Sequence, residues 1–278
     1  MPDYRNLETS QDPGSEAAVA LVRAWLDPDS NVRGSFAAAI GQLVATRGSV
    51  RPLALDLAAV LSDAATEAAI GHRAAVLGAL HALAVGFDPC SALAHGIDAA
   101  WLDVELSAGM TQRQLRAPIL ARVKTILPLL GDREALVRIG VAQLLSVLPE
   151  VKADAIAALD KALAGEVDSL AQSHLLVALA AFGERREATP LPTKSDAVRV
   201  AARLARVLHG VTDPTLPTDA QHLPMVVEWF PGGDDPRRVI AATLVGRAYR
   251  VRDGASLDEL ATRSPLPDLI AVFALESL

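Results

Sequence analysis

Apolar residues recur at three- and four-residue steps along almost the whole chain, in runs cut short by Asp, Pro and Gly. That period gathers the apolar side chains of each run onto one stripe of an α-helix and does not fit strands, whose period is two. The runs are rich in alanine and leucine rather than valine and isoleucine, which argues against an all-β fold. Hydrophobic residues make up 51% of the 278 positions, enough for a large core, so a disordered chain is excluded.

The spacing predicts about fourteen helices, over 17–26, 32–45, 52–61, 66–85, 89–107, 111–130, 134–148, 152–164, 168–182, 195–208, 220–230, 236–249, 257–262 and 266–278. Pro52 sits where proline is tolerated, in a first turn. Pro118 falls inside the 111–130 run, so that helix is expected to start late or to kink. Residues 1–14 are read as an N-terminal tail. They carry Asp3, Arg5, Glu8 and Asp12 without an apolar stretch, unlike a signal peptide.

Cys90 is the single cysteine, which excludes an internal disulfide and fits a reducing compartment. The longest uncharged runs, between Arg73 and Asp88 and between Asp168 and Glu184, fall short of the roughly 18 apolar residues of a membrane span. A cytoplasmic protein is expected. Lysine is scarce, at Lys124, Lys152, Lys161 and Lys194 among 26 basic residues, a bias pointing to a GC-rich bacterial genome.

Internal similarity refines the fold. The segment Asp27-Pro28-Asp29-Ser30-Asn31-Val32-Arg33, followed by Phe36-Ala37-Ala38-Ala39, resembles the turn and second helix of a HEAT repeat. Echoes occur at Asp132 with Val137-Arg138, at Asp196 with Val198-Arg199, at Asp235-Pro236 with Arg238, and more weakly at Arg73. The steps between these arginines are forty, sixty-five, sixty-one and thirty-nine residues; one HEAT repeat accounts for the shorter ones only. The resemblance to this armadillo-type family implies an all-α fold, a right-handed α-α superhelix of about six to seven hairpins over 15–278. Strict pairing of helices loses phase between Pro89 and Leu130, and again near Leu191. The second break leaves open a division into two lobes near 184–194.

In such a fold the aspartate caps the following helix and the arginine bridges to aspartates of adjoining turns. Asp29, Arg33, Asp132, Arg138, Asp196 and Arg199 are therefore expected to form a structural ladder.

Chemistry is sparse. His72, His81, His95, His174, His209 and His222 include no pair one helical turn apart, so no metal site is expected. No nucleophile elbow, P-loop or dinucleotide fingerprint is present, and neither a cofactor nor catalysis is expected. The bilin-lyase branch of HEAT-like proteins ranks low, because nothing identifiable binds a tetrapyrrole.

Charge is more informative. Residues 30–55, 106–131, 197–212 and 236–252 carry 3, 4, 3 and 5 basic residues and no acidic one, although the net charge is −7. If these are mostly second helices, they line an inner curved face on which Arg47, Arg203, Arg206, Arg247 and Arg250 meet an acidic protein partner. The alternative is a HEAT-like DNA glycosylase, which the resemblance associates with a tryptophan and a carboxylate one turn apart on a helix. Trp101 and Glu105 have that spacing and Arg138 lies downstream, but an acidic, lysine-poor chain suits phosphate contacts badly. A non-catalytic binding or scaffold module is the preferred expectation.

Overall fold

The structure is a computed structural model that describes residues 4–27, 39–40, 43–46, 49–67, 72–85, 102–103, 105–107, 109–182, 198–199, 201–202 and 205. Among them are eight α-helices: α1 (Arg5–Thr9), α2 (Ser15–Leu26), α3 (Leu53–Thr66), α4 (Arg73–Val85), α5 (Gln112–Ile126), α6 (Ala135–Ser146), α7 (Lys152–Gly165) and α8 (Ser169–Ala181). Two 3-10 turns, Leu127–Gly131 and Pro149–Val151, follow α5 and α6. The all-α expectation holds at this coarse level. No helix among the described residues is long and apolar enough to cross a membrane.

Contacts divide the chain into two compact units, Met1–Phe87 with Leu102–Ala155, and Asp88–Trp101 with Ile156–Leu278. In the first unit, α3 packs on α4 and on α5, and α4 packs on α5 and most extensively on α6. Helices α3 and α5 thus lie against each other, and so do α4 and α6. α4 and α6 approach closely because α6 offers Gly140 there. A methyl group built on Gly140 would sit 2.9 Å from Leu77 Cβ.

α3 and α5 are each preceded by a two-stranded hairpin. Strands β1 (Ala45–Thr46) and β2 (Ser49–Val50) pair antiparallel before α3, with Ala45 opposite Val50. Strands β3 (Glu105–Ser107) and β4 (Met110–Thr111) do so before α5, with a register shift between Glu105 and Ser107 and a turn at Gly109, φ +81°. β2 and β3 lie in contact, so the hairpins adjoin as the helices do. Neither hairpin was expected: the periodicity runs helix through Ala45 and through Ser107. Pairs this short carry no legible alternation.

The remaining boundaries have local causes. α5 begins at Gln112 rather than after Pro118, because a capping box holds its first turn. Thr111 Oγ1 accepts from the Gln114 N–H at 3.3 Å and Gln114 Oε1 accepts from the Thr111 N–H at 2.8 Å. Of the two expectations, a late start or a kink at Pro118, the late start does not occur, and Pro118 lies inside the helix. Leu115, Ile119, Val123 and Ile126 form its buried stripe, and a fully enclosed leucine or isoleucine contributes about 1.5–3 kcal/mol over an exposed one. α3 runs to Thr66, and α4 starts at Arg73 instead of at Thr66.

Residues 4–14 are more than a tail. They contain α1, which packs on α2 and α3 and whose Leu7 is fully buried. In the second unit, Asp168 caps α8, its Oδ1 accepting from the N–H groups of Leu170 and Ala171 at 3.0 and 2.9 Å. α8 buries Ala171, Ser173, His174, Leu175 and Val177–Ala180.

Candidate functional site

Arginines carry much of the side-chain chemistry among the described residues, and several of those in the first unit join segments distant in the chain. Arg51, just before α3, grips Asp12 in a fork: its Nε donates to Oδ2 at 3.2 Å and its Nη2 to Oδ1. Its Nη1 donates to the Leu43 carbonyl at 3.1 Å. The guanidinium lies flat against Gly14, where an added Cβ would come within 2.7 Å of Nη1. On α2, Arg23 donates to the Glu8 carboxylate and stands 5.0 Å above the Tyr4 ring.

Arg116 is fully buried on α5. Its Nε and Nη2 donate to the two Glu150 oxygens at 3.0 and 2.7 Å, its Nη1 to the Ala84 carbonyl at 3.1 Å, and Nη2 also to the Val147 carbonyl. Gln112, one turn earlier, donates to the Leu83 and Ala84 carbonyls at 3.2 and 2.7 Å. Two carbonyls in the last turn of α4 thus accept from two side chains of α5. Burial pulls the Arg116 pKa down, and the Glu150 carboxylate opposes that shift.

Of the ladder residues, Asp132 and Arg138 are well described. Asp132 Oδ1 accepts from the Glu134 N–H at 2.9 Å ahead of α6. Its other oxygen takes Arg73 Nη1 of α4 at 2.7 Å, with both side chains largely buried. Arg138 donates to the main-chain carbonyls of Asp132 and Arg133, at 2.8 and 3.2 Å. The charge pair thus runs between echoes, from Arg73 in one to Asp132 in the next. Arg199 is helical and exposed. Asp29, Arg33 and Asp196 lie outside the described residues.

The same holds for Arg47, Arg203, Arg206, Arg247 and Arg250, and for Trp101 and Cys90. Glu105 opens strand β3, so the helix on which it was expected to follow Trp101 by one turn does not reach it. Its Oε1 accepts from the Gly109 N–H at 2.8 Å, inside its own hairpin. Glu105 bonds within its own hairpin, whereas Arg138 holds the main chain at Asp132 and Arg133.

The basic window 106–131 is less open than its charge implies. Arg113 pairs with Asp103 at 2.9 Å, and that hydrogen bond holds the Asp103 carboxyl below its usual range. Arg122 pairs with Asp63 at 2.5 Å. With Arg116 buried, three of its four cations have carboxylate partners brought from elsewhere in the chain; Lys124 is exposed. The role of Arg116 had a signal in the sequence: Gln112 and Arg116 occupy the same stripe as Leu115 and Ile119, so two polar side chains sit in an apolar face. Arg23 and Arg51 had none.

Among the described residues no three His, Cys, Asp or Glu side chains are grouped to hold a metal ion. Comparisons with protein families, with curated proteins and with solved structures find no match to this chain.

Proposed function

We propose that this chain is a non-catalytic binding module, a HEAT-like stack of helical hairpins in the cytoplasm that presents arginines to the acidic surface of another protein. The observation that carries the reading is the stacking of α3 on α5 and of α4 on α6. Such stacking makes a surface that extends with each added pair, and its exposed residues vary without disturbing the core. The habit of the described arginines supports it further: Arg23, Arg51, Arg73, Arg116 and Arg122 each recruit a carboxylate from a distant segment. Arg47, Arg203, Arg206, Arg247 and Arg250 are proposed to do the same in trans. The base-excision alternative required Trp101 and Glu105 on one helix and gains no support from a Glu105 in a strand.

The test is a five-fold charge reversal, each of these arginines changed to glutamate, in the full chain used as bait against lysate at low salt with nuclease. The parent is expected to retain a stoichiometric protein that the reversed chain loses. Equal capture by both would defeat the arginine surface. Capture that vanishes with nuclease would move the reading to nucleic acid.

A further inference from the structure

Residues 4–14 lie on α2 and α3 as a bound peptide would. α1 has five residues, far fewer than an isolated helix needs to persist in water, so its docking sustains it. Leu7 is its single apolar side chain and is fully buried, whereas Arg5, Asn6, Glu8 and Thr9 are exposed. Two acids sit on two arginines as well, Glu8 on Arg23 and Asp12 in the fork of Arg51, and the Tyr4 ring lies under Arg23. An Asx turn, Gly14 N–H to Asp12 Oδ1 at 2.8 Å, sets that carboxylate, and Gly14 leaves room for the guanidinium above it.

We infer that the Leu7 socket, with Arg23 and Arg51, is a docking site for an acidic peptide segment, occupied here by the chain's own residues 4–14 as an internal pseudo-ligand. The ligand pattern is a leucine followed directly by an acid and, four positions further on, by a second acid, as in Leu7, Glu8 and Asp12. The leucine supplies the burial, and the acids set register and orientation. A tethered occupant has a millimolar effective concentration, so it screens the site from weak external ligands and yields to strong ones. The inference stands on Arg23 and Arg51 and is independent of the arginines at 47 and 203–250.

The experiment uses the full chain with Leu7→Ser and Asp12→Asn, and a fluorescent synthetic peptide with the sequence of residues 4–14. Hydrogen exchange is read over 4–14 and over α5–α6. In the double variant, protection of 4–14 is expected to fall while that of α5–α6 stays. Peptide anisotropy is then expected to show binding at least about tenfold tighter than to the parent, lost when Arg51→Met is added. Any of three results overturns the inference: unchanged protection of 4–14, protection lost throughout α5–α6, or a released site whose peptide binding is no tighter or ignores Arg51→Met.

Discussion

Gly140 and Gly78 occupy neighbouring stretches of one packed pair of helices and should respond oppositely to the same change. A methyl group at Gly78 of α4 meets nothing within 4 Å, so Gly78→Ala should gain about 0.5–1 kcal/mol from helix propensity. At Gly140 the same gain is opposed by a 2.9 Å overlap with Leu77 Cβ, an atom fixed to the α4 backbone, with the Ala74 carbonyl at 3.7 Å. Overpacking of that kind costs about 1–3 kcal/mol, so Gly140→Ala should lower stability. Urea unfolding decides it, and a rise in midpoint for Gly140→Ala would show that the helices part cheaply. His81, buried on α4, has its pKa lowered by burial to about 4 from 6.5. The unfolded chain therefore binds this proton first. Stability is complete above about pH 6.5 and falls as pH drops towards 4, by on the order of 2–3 kcal/mol. In His81→Gln the loss between pH 7.5 and 4.5 should shrink by that amount; an unchanged loss would place the acid sensitivity elsewhere. At this scale the sequence was a poor guide to charge. It showed that arginines cluster, but pairing depends on carboxylates such as Asp12, Asp63 and Glu150, which lie 34 to 59 residues away on other elements.

The helices were more legible, because their apolar stripes are local. α2, α6, α7 and α8 begin and end within two residues of the periodic runs, where Asp27-Pro28, Pro149, Gly165 and Gly183 interrupt them. The pattern failed where apolar content did not mean helix, at Ala45 and Ser107, and where a helix ended without Pro or Gly, after Thr66. Between elements, the Arg116 network yields an asymmetric prediction. Removing Glu150 leaves a fully buried guanidinium without its carboxylate, and such a loss costs about 3–5 kcal/mol. Replacing Arg116 by methionine removes charge and desolvation cost together. The Ala84 carbonyl keeps its bond from Gln112, Val147 loses one, and Glu150, partly exposed, returns to water. Glu150→Ala should thus lose at least twice the stability that Arg116→Met loses in denaturant titration. The reverse order would mean that the carbonyl contacts, not the ion pair, hold α4, α5 and α6 together.

For the molecule as a whole, the sixty-five residues from Arg73 to Arg138 include the connection between α4 and α5. α4 ends at Val85 and α5 begins at Gln112, so twenty-six residues intervene, yet α5 packs on α3 and α6 on α4. Spacing alone could not separate an insertion of that length from a slipped repeat between Pro89 and Leu130. The candidate surface was legible only as a set of arginines, since a face depends on how distant pairs stack. That distinction sets the salt dependence. Arg73–Asp132 bridges α4 and the approach to α6 with both side chains about one-seventh exposed, where ions screen poorly. Arginines offered to a partner meet its acids across solvent and are screened in full. Raising salt from about 0.05 to 0.5 M shortens the screening length from roughly 14 to 4 Å. Partner affinity should then fall at least about tenfold, by an increase in the rate of dissociation and a decrease in the rate of encounter. The thermal midpoint of the free protein should move by no more than a few degrees. Parallel titrations by biolayer interferometry and calorimetry separate the two quantities. Affinity that holds at high salt would mean apolar anchors carry the interface, and a collapsing midpoint would assign the exposed arginines to the fold itself.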